Sequence, residues 1–290
     1  MTHLHVFALG KLRMQSGDQI ATSFPTRHVE ELFAYLLLNH QTIHQREKLI
    51  DLLWPLEMQG NVRGRFSTVL WRLRSTFDDL GVSADKYLQA TRDTVSLNLD
   101  SPVKVDFFTF EKQLTKANIS PGGEHYEQLL RAAIDAYQGD LYEGIYADWC
   151  LVERERLSRL YLWAMGQLMA HLIQKVCFEE AIVLGQRILQ RDSLREEVHR
   201  AVMHCYWSTR QWEKAARQFE ECSHQLQDEL QIMPMPETIS LYQRIMADRL
   251  QRSAAAATLN EQSHHQLLMA MNEFQQAAAK LNNLLSSFHQ

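Results

Sequence analysis

The feature that most restricts the fold is an internal repeat with a period of 34 residues. Residues 177–181, read Cys-Phe-Glu-Glu-Ala, recur as residues 211–215, read Gln-Trp-Glu-Lys-Ala, and Met169 aligns with Met203 in the same way. This is the period of tetratricopeptide repeats, in which helix pairs stack on their neighbours through small residues such as the alanine that closes each segment. The sequence therefore predicts an array of helix pairs.

Helical periodicity extends over the whole chain beyond Asp106. The 290 residues contain only 11 Gly and 6 Pro, which argues against a turn-rich β sandwich and favours a mainly α protein. The predicted helices cover about 107–114, 126–137, 149–175, 178–190, 194–207, 212–230 and 236–250.

The first hundred residues have a different pattern, with strand-like stretches on both sides of three helices. The second helix stops at Trp54-Pro55 and the third ends at Gly81. Three helices followed by a β-hairpin are typical of a winged helix-turn-helix. The predicted elements are a strand at 5–9, helices at 26–38, 45–53 and 62–80, and strands at 87–91 and 95–99 around the turn Arg92-Asp93-Thr94.

The expected fold class is therefore mainly α, with three parts. Residues 1–101 form a winged helix-turn-helix DNA-binding domain of three helices plus a β-hairpin, and residues 102–252 form an all-α tetratricopeptide-like array. Residues 253–290 form a C-terminal amphipathic helix.

The third predicted helix carries the strongest functional signal. At about 100° per residue, its apolar side chains gather on one arc and a polar strip lies opposite. Arginines flank the strip on both sides, and no acidic residue occurs from Asn61 to Phe77. Hydrogen-bond donors in the middle and guanidinium groups on the rims suit the major groove of DNA, where the rims meet phosphates. The candidate residues are Arg63, Arg65, Ser67, Thr68, Trp71, Arg72 and Arg74.

A surface helix whose arginines pair with nearby carboxylates would show the same pattern, but the position before a β-hairpin favours DNA recognition. Trp71 is compatible with contact to a thymine methyl or a sugar and with burial against the second domain, and burial is slightly favoured. Arg92 at the wing tip is a further candidate contact. Arg46 and Lys48, near a helix N-terminus, are candidates for flanking phosphates, with solvated surface as their alternative.

The sequence contains no catalytic, metal-binding or membrane motif. It lacks phosphate-binding and dinucleotide-binding glycine loops, a His-Glu-x-x-His pair, a Gly-x-Ser-x-Gly turn and any Cys-x-x-Cys pair. The longest apolar run, residues 32–38, is far shorter than the roughly 20 residues of a membrane helix, and no signal peptide is expected. We therefore expect a cytoplasmic protein that is not an enzyme, has no membrane segment and uses no metal or cofactor.

The net charge of −5 does not by itself favour a nucleic-acid partner, but its distribution does not exclude one. Residues 1–100 hold 11 basic and 11 acidic residues, so the whole acidic excess lies in residues 101–290. Recognition depends on where charge is placed, whereas net charge governs long-range steering. The sequence is therefore compatible with DNA binding and predicts weak non-specific binding.

The tail has the spacing of a coiled-coil seam, because apolar residues follow one another in steps of 4, 3, 4, 3, 4 and 3. The tail is rich in Gln and Asn and has few charges. It fits a dimerising zipper and a helix that packs back onto the array as a cap about equally well. The seam residues are Leu267, Met271, Phe274, Ala278, Leu281, Leu285 and Phe288.

An ordered set of motifs extends over roughly residues 4–248. In the first hundred residues these motifs are Leu9-Gly10, residues 36–38, 46–49 and 53–55, and residues 70–74, read Leu-Trp-Arg-Leu-Arg. Farther along they are Val105-Asp106, Phe110-Glu111, residues 137–141, Trp149, residues 153–157, Glu197, His199-Arg200, Met203, Tyr206, Glu221-Cys222, Glu229-Leu230, Pro234, residues 236–238 and Leu241-Tyr242. Taken in order, these motifs resemble those of the Streptomyces antibiotic regulatory protein (SARP)-type transcriptional activators.

The resemblance implies a winged helix followed by a bacterial transcriptional activator domain (BTAD). It also implies an activator that occupies repeated sites near a promoter and contacts RNA polymerase, with residues 61–80 as the recognition helix. Two features depart from the family pattern: Arg210-Gln211 stands in a turn where the family usually has Gly, and the tail lies outside the match.

We therefore expect a sequence-specific DNA-binding transcriptional regulator, an activator whose partners are double-stranded promoter DNA and RNA polymerase. A second copy of the chain and a small effector in the helical domain are further possible partners. The alternative is a non-enzymatic tetratricopeptide-type interaction or effector-binding protein that uses the winged helix as a docking module.

Overall fold

The computed structural model describes residues 4–55, 61–99 and 103–287; within its last helix, side chains are described only up to residue 254 and from 266 to 276. The chain forms two compact units, Met1–Gln174 and Lys175–Gln290. Helices dominate the described residues, and a small sheet region lies in the N-terminal part. The predicted fold class is confirmed.

A four-stranded sheet opens the first unit, in the order β3-β2-β1-β7. Strands β1 (Leu4–Phe7), β2 (Arg13–Ser16) and β3 (Gln19–Ala21) are antiparallel neighbours, whereas β7 (Val103–Val105) pairs with β1 in parallel. The sequence indicated only the first of these strands. The other strands are short, and β7 pairs with β1, which lies about a hundred residues earlier in the chain.

Three helices and a hairpin follow, as predicted for a winged helix. Phe33 and Phe77 meet edge to face at 5.8 Å in the core between the first and third helices, and Gly81, with φ of 67°, ends the third helix. The helices are α1 (Arg27–Leu38), α2 (Arg46–Leu53) and α3 (Val62–Asp79), and a short 3-10 helix spans Ala84–Lys86. The hairpin β5 (Leu88–Ala90) and β6 (Thr94–Leu97) is joined by β4 (His44–Gln45), in the order β4-β6-β5.

The first unit also contains α4 (Asp106–Ile119), α5 (Tyr126–Ala136) and α6 (Asp148–Gln174). The carboxylate of Asp106 accepts hydrogen bonds from the backbone N–H groups of Ala8 and Leu9, at 2.8 to 2.9 Å. The Tyr142 N–H group donates to the Ala8 carbonyl at 2.8 Å. These bonds tie the N-terminal sheet to the helices that follow it. The predicted boundary between residues 101 and 102 lies outside the described residues, and the compact unit continues to Gln174.

The second unit contains the repeated helix pairs. Helices α7 (Phe178–Arg191) and α8 (Glu196–Ser208) are followed by α9 (Trp212–Leu230) and α10 (Pro236–Ser287), so α7 and α9 start 34 residues apart. Ala181 and Ala215, the equivalent alanines of the two repeats, are fully buried, as the repeat predicted.

The last helix is longer than its periodicity suggested. The sequence predicted an end near residue 250, whereas α10 continues to Ser287. The coiled-coil seam therefore begins inside a helix whose first turns belong to the array. Among the described residues, no helix combines the length and apolar character needed to cross a bilayer.

Candidate nucleic-acid interface

The start of α3 is fixed by a capping interaction. The Asn61 side-chain oxygen accepts a hydrogen bond from the Gly64 N–H group at 3.0 Å, which satisfies one of the free donors of a helix N-terminus. A Cβ atom at Gly64 would lie 2.5 Å from the Asn61 side chain. A larger residue at position 64 would therefore displace the cap.

The orientation of α3 follows from its apolar side. Phe66, Val69, Leu70, Leu73 and Phe77 are all buried, so the opposite side of the helix faces solvent. This exposed face of α3, which contains Ser67, Thr68 and Trp71, corresponds to the polar strip predicted from the sequence.

The hydroxyl groups on this face are already engaged. Ser67 donates to the carbonyl of Arg63 at 3.0 Å, and Thr68 donates to the carbonyl of Gly64 at 3.1 Å. In this structure the centre of the face therefore offers oxygen lone pairs and apolar surface, rather than the free donors that the sequence suggested.

Trp71 lies in the middle of the exposed face of α3, and 66% of the residue is exposed. The interpretation that favoured burial of this residue is wrong. An exposed tryptophan on a face bordered by arginines is available to a partner.

Arg63 and Arg74 of α3 each form an ion pair with a carboxylate. Arg63 lies 2.9 Å from Glu47, and Arg74 lies 3.3 Å from Asp85. These carboxylates belong to α2 and to the 3-10 helix before the hairpin, and neither was considered as a partner from the sequence. Both pairs are substantially solvent-exposed, so they contribute little to stability.

The other two arginines of α3 lie on the second rim of the exposed face. The Arg65 guanidinium carbon lies 5.0 Å from the centre of the Trp54 ring, and that ring stacks on His28 at 4.7 Å. Such a cation–π contact positions the guanidinium group at the edge of the face. Arg72 is half-buried on the same rim.

The wing packs against the start of α2. The Arg46 N–H group donates to the carbonyl of Asp93 at 2.9 Å, and its guanidinium group approaches the carbonyl of Arg92 at 3.4 Å. The wing turn is ordered by the Thr91 hydroxyl, which accepts from the Thr94 N–H group at 3.0 Å. Lys48 is exposed on α2.

Three elements therefore meet around one open hollow of about 550 Å³. Arg46 from α2, Arg63 and Ser67 from α3, and Arg92 from the wing all line it. The structure thus brings together several of the predicted contact residues that are far apart in sequence. Glu47 and Asp93 lie in the same hollow and oppose its positive charge.

Known proteins resemble this chain in both compact units. Residues 105–246 match the family model of the bacterial transcriptional activator domain. The chain is 26% identical over 252 residues to Regulatory protein AfsR of Streptomyces coelicolor. These two matches confirm the resemblance to the SARP-type transcriptional activators. The alignment covers 86% of this chain and 25% of AfsR, so the chain spans about a quarter of that relative's length.

The fold of this chain is also found in a solved structure, that of Mycobacterium tuberculosis EmbR in complex with a low affinity phosphopeptide. The two chains share 18% identity with a TM-score of 0.71, over 90% of this chain and 71% of EmbR. The match to the activator domain, residues 105–246, includes parts of both compact units, because the first unit ends at Gln174.

Proposed function

We propose that this chain is a transcriptional regulator that binds duplex DNA with the exposed face of α3. The observation that supports this most is the arrangement of that face, which has Trp71 in its centre, arginines on both rims and the wing beside it. Such a face fits a major groove, in which central side chains meet base edges and arginines meet phosphates.

The contact residues that we propose are those predicted from the sequence. Arg46, Arg63 and Arg92 line the hollow between α2, α3 and the wing and would bind phosphates. Lys48, which is exposed on α2, is a further candidate for a phosphate contact. Arg65, Arg72 and Arg74 lie on the rims of α3, and Ser67, Thr68 and Trp71 lie between them.

We further propose that the chain is an activator that occupies promoter repeats and contacts RNA polymerase. The resemblance to SARP-type activators supports this step, together with the match to the activator domain at residues 105–246. A small effector in the helical domain and a cytoplasmic location stay predictions of the sequence.

The test is a binding assay on the full chain with duplexes selected from a random pool. Arg72→Ala and Arg74→Ala should each weaken binding. Each lost phosphate contact should make the slope of log affinity against log salt shallower by about 0.9. Arg159→Ala is the matched control, since Arg159 is an exposed arginine of α6 that pairs with Glu155 at 3.5 Å. Unchanged affinity of both α3 variants for every duplex would contradict the assignment.

The tail supports a second proposal, that two copies pair through the end of α10. Leu267, Met271 and Phe274 are 55% to 76% exposed in the structure, and this exposure supports pairing rather than packing onto the array as a cap. The side chains of Ala278, Leu281 and Leu285 lie outside the described part of the chain, as does the whole of Phe288.

Self-pairing is favoured by the sequence beside this seam. The positions that flank the seam in a heptad include Leu268, Ala270, Gln275 and Ala277, none of which is charged. Flanking charges are what usually discriminate between partners in coiled coils, so nothing at these positions opposes a second copy. Light scattering should give a dimer mass for the full chain and a monomer mass for a chain ending at Ser253. Identical oligomeric states would refute the pairing.

A further inference from the structure

Trp71 is the large apolar side chain on a face that is otherwise small or polar. Its neighbours one helical turn away on this face include Ser67, Thr68 and Ser75, and Gly64 lies two turns before it. Because these neighbours are small, they leave the indole uncovered on their side of the face, in keeping with its 66% exposure.

The polar groups around the indole are poor donors to a base. The Ser67 and Thr68 hydroxyl protons are held by carbonyl groups of the preceding turn, at 3.0 and 3.1 Å. The centre of the face therefore presents an aromatic ring, the methyl group of Thr68 and oxygen lone pairs. Such a surface is complementary to an apolar group on the DNA that has few hydrogen-bond acceptors close to it.

The major-groove edges of DNA carry one apolar group, the C5 methyl of thymine. Guanine presents only acceptors in the major groove, and these would face the lone pairs of the two hydroxyl groups. The arginines on the rims, such as Arg63 and Arg74, would hold phosphates and keep the centre of α3 over the base edges.

We propose that Trp71 contacts the C5 methyl of a thymine and thereby selects a thymine at one position of the binding site. This inference rests on the proposed function, since it requires α3 to lie in the major groove.

The experiment uses a duplex selected from a random pool by the full chain. Each thymine is replaced in turn by deoxyuridine, which lacks only the C5 methyl. For the wild-type chain, one replacement should weaken binding about fourfold, which corresponds to roughly 0.8 kcal/mol for one buried methyl-sized group. In Trp71→Ala the penalty at that position should disappear, while the penalties at the other thymines stay unchanged.

Trp71→Gln, which keeps a long side chain on an exposed helix face, should lose the same penalty and provides a second variant should the alanine form not fold. Tyr146→Ala is the matched control, because it removes another exposed aromatic side chain of the first unit and should retain the wild-type pattern. A wild-type chain that binds no duplex would overturn the proposed function itself. Binding with the same deoxyuridine penalties in the Trp71 variants and in wild type would overturn the thymine contact alone.

Discussion

Glu47 places a carboxylate 2.9 Å from the Arg63 guanidinium group, on the surface that we propose meets DNA phosphates. Both side chains are mostly exposed, at 62% and 80%, so the pair contributes little to folding. Its larger effect is on binding, because the carboxylate competes with phosphate for the same guanidinium group. The first hundred residues have no net charge, which already favours weak non-specific DNA binding. The ion pair weakens that binding further.

We therefore expect Glu47→Gln to bind unrelated duplexes more tightly than wild type. The slope of log affinity against log salt should become steeper by up to about 0.9, as for one additional phosphate contact. Fluorescence polarisation at several salt concentrations measures both quantities. Glu155→Gln removes the equivalent carboxylate from an exposed arginine pair on α6 and should change neither. An unaltered salt slope in Glu47→Gln would show that the pair does not restrain binding.

Asp248 joins three helices of the second unit through one carboxylate. The indole N–H groups of Trp207 and Trp212 donate to it at 3.0 and 3.1 Å, and Arg252 donates at 2.9 Å. These hydrogen bonds, with that from Trp207 foremost, lower the pKa of Asp248 to about 2. The two tryptophans were recognised from the sequence only as helix residues, since nothing local to either one indicates a shared acceptor.

Because folding lowers the pKa of Asp248, its ionised form stabilises the chain fully above about pH 4, the range of an unfolded aspartate. That contribution is lost as the pH falls towards 2. Asp248→Asn should therefore have a lower urea midpoint than wild type at pH 7, and the difference should shrink below pH 4. Circular dichroism at several pH values gives the midpoints, with Glu220→Gln as an exposed control. A difference that stays constant from pH 7 to pH 2.5 would contradict this account.

At the level of elements, helices were predicted well because each carries its own periodic signal. The start of α9 at Trp212 agrees with the sequence, and α3 differs only at its last residue. Strands β2, β3, β4 and β7 were missed, since they have two to four residues and depend on partners elsewhere in the chain. Glu47 and Asp85, the carboxylates that pair with arginines of α3, were missed because they too lie on other elements of the chain.

The turn between α8 and α9 contains a backbone conformation that most residues avoid. Arg210 has φ of 60°, and its N–H group donates to the Trp207 carbonyl while that of Gln211 donates to the Tyr206 carbonyl. These are the two bonds of a Schellman motif, whose left-handed position is usually Gly. Val176, 34 residues earlier, has φ of 63°, so the same geometry recurs at the same place in the repeat.

Arg210→Gly should therefore stabilise the chain. The left-handed conformation costs an ordinary residue about 1–2 kcal/mol, and part of this gain is offset by the greater freedom of Gly when unfolded. We expect a net increase of about 1 kcal/mol in the free energy of unfolding. Arg217→Gly, in the exposed middle of α9, is the matched control and should lower it by about 1 kcal/mol. Urea denaturation measures both, and a destabilised Arg210→Gly would refute the strain.

At the scale of the whole molecule, the first compact unit ends at Gln174, a position that the periodicity of the sequence does not mark. Asp106 and Tyr142 bond to the backbone of residues 8 and 9, so the first helices of the activator domain fold with the winged helix in one unit. Periodicity cannot reveal such bonds, because they join positions separated by about a hundred residues or more.

The exposed seam of α10 bears on how two copies of the chain would bind a duplex that carries two sites. If two copies pair through its exposed seam, a duplex with two sites presents the second winged helix with its site at a high effective concentration. The full chain should then bind a two-site duplex on the order of 100-fold more tightly than a single-site duplex. A chain ending at Ser253 should lose most of this preference while its affinity for a single site stays unchanged.

A full-length variant, Met271→Lys with Phe274→Lys, separates pairing from helix length, because it places charges in the seam without shortening the chain. It should behave like the shortened chain in both assays, since like charges facing each other across the seam destabilise a coiled coil. Polarisation on one-site and two-site duplexes gives the ratio directly. If both altered chains kept the full two-site preference, contacts between neighbouring winged helices or activator domains would account for the cooperativity, and the tail would have no part in it.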